Sequence, residues 1–98
     1  MLLGVKMNKC YRGYILARLS RIGTEWQITD KMMTLKGDSW KVTYCTPIYG
    51  SWDLIVEVSF EKLEDLDVVV TRMRSDVEIR ENIEETTTLV SSKPNYPL

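Results

Sequence analysis

The segment formed by residues 11–19 places the strongest constraint on the fold of this chain. It is rich in strand-forming residues and carries apolar side chains at both alternating positions, Tyr14 and Leu16 on one and Ile15 and Ala17 on the other. This pattern is typical of a strand that is covered on two faces and flanked by other strands. The chain has 98 residues, which is the size of one domain. We therefore expect a single sheet with this segment at its centre.

Residue spacing predicts two helices. In the first, Thr24 and Gln27 have the spacing of a capping box, apolar residues recur at helical intervals, and Gly37 provides a stop signal. The second contains an apolar stripe opposite a row of carboxylates, and the stripe consists of Leu63, Leu66, Val70 and Met73. Both helices are therefore expected to be amphipathic, with one face towards the sheet.

Three further segments alternate with the period of a strand. Residues 40–46 alternate and end at Pro47, which favours an edge position. Residues 52–58 form the next strand, and residues 83–90 form the last. The predicted order is strand, helix, strand, strand, helix, strand.

This order predicts an α+β ferredoxin-like plait, βαββαβ, with both helices on one face of the sheet. The opposite face would then lie open. Apolar side chains occur at both alternating positions of the central strands: Tyr14, Leu16, Trp52, Leu54 and Val56 at the even ones, and Ile15, Ala17, Leu19 and Ile55 at the odd ones. Because an open apolar face usually marks an interface, we expect at least a homodimer that forms a dimeric α/β barrel through the sheet face. The predicted division is an N-terminal extension (1–10), a ligand-binding domain (11–92) and a flexible tail (93–98).

The absence of histidine restricts the chemistry that is available. The 13 Lys and Arg residues nearly balance the 14 Asp and Glu residues, and no imidazole is present to act as a base or metal ligand. We therefore expect a protein that is not an enzyme and that carries no cofactor and no metal. The slightly acidic net charge of -1 and the lack of a basic stripe argue against direct DNA binding. Asp53 and Glu57 on the third strand argue against RNA binding, because carboxylates repel a phosphate backbone.

The cysteines and the apolar segments indicate the compartment. Cys10 and Cys45 form neither a disulfide framework nor a metal-ligand pattern. No apolar run approaches the roughly 20 residues that span a bilayer, so no membrane association is expected. We predict a cytoplasmic protein with reduced cysteines.

The segment Tyr49-Gly50-Ser51-Trp52-Asp53 is the most informative local feature of the sequence. A glycine here permits positive φ or close approach of a ligand to the backbone, and the aspartate needs a partner at the start of an apolar strand. From the residues alone, a turn glycine with a capping aspartate and a ligand-binding turn both stay open.

The motif Gly50-x-Trp52-Asp53-Leu54, the preceding strand and the end Ile83-x-x-Thr86-x-Thr88-Leu89-Val90 resemble the leucine-responsive and asparagine regulator family, Lrp/AsnC. The similarity is to its effector-sensing RAM domain and covers about residues 11–92. The family shows a Gly-x-aromatic-Asp turn entering its third strand and a Val-x-x-Thr-x-Thr pattern in its fourth.

This resemblance implies plaits that dimerise through the sheet, dimers that join into rings, commonly octamers, and free amino acids bound between dimers. It implies that Gly50, Ser51 and Trp52 form the turn that receives the ligand and that Asp53 holds its α-ammonium group. It also implies that Thr86 and Thr88 line the same pocket, from the same or a neighbouring subunit.

Only about ten residues precede the first strand, too few for the helix-turn-helix domain of full regulators. The resemblance therefore predicts a stand-alone sensing module that acts through a partner, for example a full-length regulator of this family. Two other interpretations stay open: an enzyme of the dimeric α/β-barrel type, and an ACT-like regulatory module of a metabolic enzyme. Turnover would identify the former, and co-purification with an enzyme the latter.

Overall fold

The computed structural model describes residues 10–91, which contain four strands and three helices. In chain order they are β1 (Tyr11–Leu19), α1 (Glu25–Met32), β2 (Trp40–Pro47), β3 (Leu54–Phe60), α2 (Glu64–Ser75), α3 (Val77–Asn82) and β4 (Ile83–Val90). This is an α+β ferredoxin-like plait, so the predicted fold class is confirmed. The predicted extension, apart from Cys10, and the predicted tail lie outside the described residues.

The sheet has the strand order β2-β3-β1-β4, and every neighbouring pair is antiparallel. The central position of β1 and the edge position of β2 are confirmed. The predicted limits of β1 and β4 agree with the structure. The prediction for β3 was two residues early, because Trp52 and Asp53 belong to the turn that precedes it.

The helices cover one face of the sheet. The core on this side combines Ile15 and Ala17 of β1 with the alternating residues of β3 from Leu54 to Phe60. The helices contribute a second set of buried residues: Ile28, Met32, Leu66, Val69, Met73 and Ile79. Burial of these apolar side chains is the main favourable contribution to folding.

The first helix is shorter than predicted, and its capping box does not form. It ends at Met32, after which the backbone N–H groups of Thr34 and Leu35 bond to the carbonyls of Lys31 and Met32. This tighter turn directs Leu35 into the core, where it is buried. The hydroxyl of Thr24 donates to the carbonyl of Arg21 instead of capping the helix.

The third helix was not predicted from the sequence. Asp76 has extended backbone geometry between α2 and α3, and its Oδ1 accepts the N–H of Ile79 at 3.1 Å. This N-cap allows a helix of 6 residues to start directly after α2. The fold therefore has a third helix, which leads directly into β4.

The open face of the sheet differs in composition from the prediction. Tyr14 pairs with Glu57 and Leu16 pairs with Ile55, so even positions of β1 share a face with odd positions of β3. The grouping of Tyr14 and Leu16 with Leu54 and Val56 was therefore wrong, because the antiparallel register offsets the numbering. Tyr14, Leu16 and Ile55 are half-buried in the open face, with the exposed Tyr44 and Leu89 at its sides.

Glu57 lies among these apolar groups and is surrounded by donors. Its Oε2 accepts bonds from Arg12 and from the Tyr14 hydroxyl, each at 3.3 Å. Its Oε1 accepts a bond of 2.7 Å from the Thr43 hydroxyl. The open face thus combines apolar side chains with polar ones, and these four side chains form a polar cluster within it.

Within residues 10–91, no helix is long and apolar enough to cross a membrane. The longest, α2, has 12 residues, against the roughly 20 that a bilayer requires.

Candidate functional site

The turn that precedes β3 has a defined backbone geometry. Gly50 has φ 123°, a conformation that residues with a Cβ rarely adopt. The N–H of Ile48 donates to the carbonyl of Asp53 at 2.9 Å, which closes the loop between β2 and β3. The glycine is therefore needed for the shape of the turn, whatever the turn binds.

Asp53 is tied to the end of β1. Its N–H donates to the carbonyl of Ala17 at 2.9 Å, and its Oδ2 accepts the N–H of Leu19 at 2.8 Å. The aspartate thus continues the β1–β3 ladder and satisfies a donor at the strand end. Its Oδ1 has no hydrogen-bond partner among the described residues.

Asp53 also lines a depression of about 80 Å³ beside the loop from β1 to α1. Glu25 lines the same depression, together with Leu19, Ser20, Arg21 and Ile22. Pockets for small molecules commonly enclose roughly 300 Å³ or more. One chain therefore offers a carboxylate at a shallow site rather than an enclosed pocket.

Arg18 is a residue of this region that the sequence did not indicate. Its guanidinium lies over the Trp52 ring, with Cζ 4.6 Å from the ring centroid, and it donates to the carbonyl of Ser51. Its Nε lies 3.2 Å from Oε1 of Glu85 on β4. Arg18 therefore connects the turn to the strand that carries the threonine motif.

Thr86 and Thr88 lie on the helix side of β4, opposite Ala17 and Ile15. Thr86 is half-buried at a groove between β4 and the helices α2 and α3, whereas Thr88 is exposed. The described cavities do not contain these threonines together with Asp53. Within one chain, the two motifs are linked through Arg18 and Glu85 rather than by a shared pocket, and a pocket shared between subunits stays a prediction.

Two groups with shifted pKa values lie outside the turn. Cys45 is buried on the helix side of β2; burial raises the pKa of its thiol to about 11, and the hydroxyl of Thr29 lowers it in part. The pKa of Asp76 is lowered, chiefly by the N–H of Ile79 and also by Lys31, whose Nζ lies 3.3 Å from Oδ2. Cys45 is thus a neutral core thiol, and Asp76 is an ionised helix cap.

Solved structures similar to this chain include FFRP-DM1 and a hypothetical protein from Pyrococcus horikoshii. FFRP-DM1, an FFRP or Lrp/AsnC-family regulator, superposes with a TM-score of 0.65 at 26% identity, over 83% of this chain and 97% of its own. A hypothetical protein from Pyrococcus horikoshii gives a TM-score of 0.66 at 26% identity, over 83% of this chain and 88% of its own. No protein-family model and no curated protein matches the sequence.

These similarities support the fold of the Lrp/AsnC family and a regulator-type domain. They agree with the resemblance that the Gly50–Asp53 turn and the threonine pattern indicate. Almost nothing of FFRP-DM1 lies outside the shared fold, since 97% of that chain is covered.

Proposed function

We propose that this chain is a non-enzymatic effector-binding domain of the Lrp/AsnC type, which binds free amino acids as a homo-oligomer in the cytoplasm. It influences transcription through a partner regulator rather than by contacting DNA itself. The similarity to FFRP-DM1 over 83% of the chain is the observation that carries this proposal. No cofactor is required for such a role.

The carboxylate of Asp53 has one oxygen without a hydrogen-bond partner among the described residues, which supports the predicted ligand chemistry. One oxygen is fixed by the N–H of Leu19 at 2.8 Å, which orients the carboxylate. The other oxygen is left to receive an α-ammonium group, and the N–H groups of Gly50, Ser51 and Trp52 are donors for an α-carboxylate. A carboxylate fixed by backbone contacts is preorganised for such a cation, which lowers the entropic cost of binding.

The shallowness of the site favours assembly. A depression of about 80 Å³ cannot enclose an amino acid without further walls. A second copy supplies those walls in our proposal, and Thr86 and Thr88 are the residues that we expect it to contribute. Dimers form through the open sheet face around Leu16 and Ile55, and rings of dimers then bring the turn of one subunit towards another.

A thermal-shift screen with the standard amino acids tests effector binding. A ligand at about 100 times its Kd adds about 2.7 kcal/mol to the stability of the native state. We expect a positive shift with one or a few amino acids, and light scattering should report a dimer or a multiple of it. A monomer at micromolar concentration, or no shift with any amino acid, would contradict the proposal.

The variant Asp53→Asn tests the role of the carboxylate. Its amide oxygen can still accept the N–H of Leu19, so the fold is preserved while the charge is removed. Loss of one charged hydrogen bond should weaken effector binding by roughly 10- to 150-fold in calorimetry. The matched control Asp30→Asn, at an exposed position on α1, should bind like the wild type. Equal affinity of Asp53→Asn and the control would reject the ammonium role.

Pull-down experiments from the native host test the action through a partner. The proposal predicts co-purification with a DNA-binding regulator of the same fold. Stable association with a metabolic enzyme would instead support an ACT-like role.

A further inference from the structure

A groove on the helix side of the molecule is separate from the turn site. It forms because α2 ends at Ser75, the chain turns at Asp76, and α3 leads directly into β4. The sheet below carries small side chains at this point, since Thr86 pairs with Ala17. The strand therefore contributes the small side chain of Thr86 to the groove, and the larger apolar side chains come mainly from the helices.

The floor of this groove is apolar. Met73 and Ile79 are buried, and Val70 and Ile83 are half-buried at its sides. The groove encloses about 240 Å³, somewhat less than the roughly 300 Å³ at which pockets for drug-sized ligands begin. Its size and lining suit a compact organic molecule with a short branched or cyclic apolar body.

The rim of the groove carries an uneven set of charges. Arg74 and Arg80 line it and make no ion pair with another described residue. Glu84 is also without an ion pair within residues 10–91, whereas Glu85 is compensated by Arg18 at 3.2 Å. Two uncompensated guanidinium groups against one carboxylate leave a net positive rim. Guanidinium groups bind carboxylates through paired, directional hydrogen bonds.

We propose that this groove binds a small organic monocarboxylate with an apolar body, such as a branched aliphatic acid or 2-oxo acid. The apolar part lies against Met73 and Ile79, and the carboxylate lies between Arg74 and Arg80. The net positive rim favours an anion over a zwitterion. Because the groove is on the helix side, a second copy on the open sheet face leaves it accessible; Thr86 is the one lining residue that the groove shares with the amino-acid pocket proposed above.

Calorimetry on the full chain with 4-methylpentanoate as the probe tests this site. Acetate lacks the apolar body and 4-methylpentanamide lacks the charge, so both should bind much more weakly. Because the rim is exposed, Arg74→Gln and Arg80→Gln should each raise the Kd by roughly fivefold. Glu84→Gln removes the opposing charge and should lower the Kd, which a purely structural effect would not do. Arg72→Gln, on the same helix but outside the groove, is the matched control and should leave the Kd unchanged.

The test also separates this site from the turn. Asp53→Asn should leave the Kd for 4-methylpentanoate unchanged even where it abolishes amino-acid binding, and amide chemical shifts should change around residues 70–74 and 79–86. Absence of binding up to about 10 mM probe would overturn the proposal. So would equal affinity in the Arg74→Gln/Arg80→Gln double variant, or shift changes centred on the Gly50–Asp53 turn. None of these three results would affect the amino-acid proposal for that turn.

Discussion

Replacement of Arg18 by alanine should loosen the connection between the turn and the sheet. The variant loses the contact with the Trp52 ring at 4.6 Å, the bond to the Ser51 carbonyl and the ion pair with Glu85 at 3.2 Å. An exposed cation–π contact contributes about 0.5–1 kcal/mol, a typical hydrogen bond about 0.5–1.5 kcal/mol, and an exposed ion pair up to about 1 kcal/mol. The Arg18 side chain is 38% exposed, so solvent screening reduces the sum. We expect Arg18→Ala to cost about 1–2 kcal/mol in the free energy of unfolding.

Urea unfolding at a fixed protein concentration measures this loss, and single changes separate its parts. Glu85→Gln removes the ion pair alone, and Trp52→Leu removes the ring alone. Arg18→Lys keeps the charge but not the planar guanidinium, so it should recover less than half of the loss. Hydrogen exchange at residues 50–53 should accelerate in Arg18→Ala, since the turn loses one of its attachments to β1 and keeps only those made by Asp53. A change in stability below about 0.3 kcal/mol, with unchanged exchange in the turn, would refute the role of Arg18 as the connecting residue.

Three further predictions concern the packing and the titrating groups. Gly37→Ala should destabilise the protein by about 1–3 kcal/mol in urea unfolding, because its Cβ would overlap Nε1 of the Trp40 ring. Wild-type stability would contradict this, since it would mean that the ring can move aside without cost. The lowered pKa of Asp76 means that its stabilising effect is present above the ordinary value of 3.8 and is lost as pH falls through the native value. Unfolding measured from pH 6 to pH 2 should therefore show a smaller loss of stability in Asp76→Asn than in the wild type, and identical pH profiles would contradict the capping role. Burial raises the pKa of Cys45 to about 11, so iodoacetamide at neutral pH should modify it only after unfolding; rapid labelling of the native protein, seen by peptide mass spectrometry, would contradict this.

Local residue patterns were sufficient for the limits of β1 and β4, but not for those of β3 or of the helices. The limits of β1 and β4 follow from uninterrupted runs of strand-forming residues, so they were predictable. Helix α1 ends before Gly37 because Leu35 is buried in the core. The tight turn that places Leu35 there ends the helix at Met32. The third helix has 6 residues, too few to show a clear apolar period, and it depends on the single cap at Asp76.

The candidate site was only partly predictable, because some of its contacts join residues that are far apart in the sequence. The positive φ of Gly50 follows from its residue type and its place between two strands. The bond from Leu19 to Asp53 joins residues 34 apart, and the ion pair of Arg18 with Glu85 joins residues 67 apart. Such pairs depend on strand register, which the sequence does not display, and the same limit explains the incorrect grouping of Tyr14 with Leu54.

The surroundings of Glu57 affect which chains can pair with this one. Arg12, Tyr14 and Thr43 already satisfy its carboxylate, so removing water from around Glu57 leaves this charge paired. A chain that docks on this face therefore needs no cation to pair with Glu57. The fit of its apolar side chains determines whether it binds. The open face is therefore compatible with hetero-oligomers, in which the sheet of a different chain packs against this one, as long as the two surfaces are complementary in shape around Leu16 and Ile55.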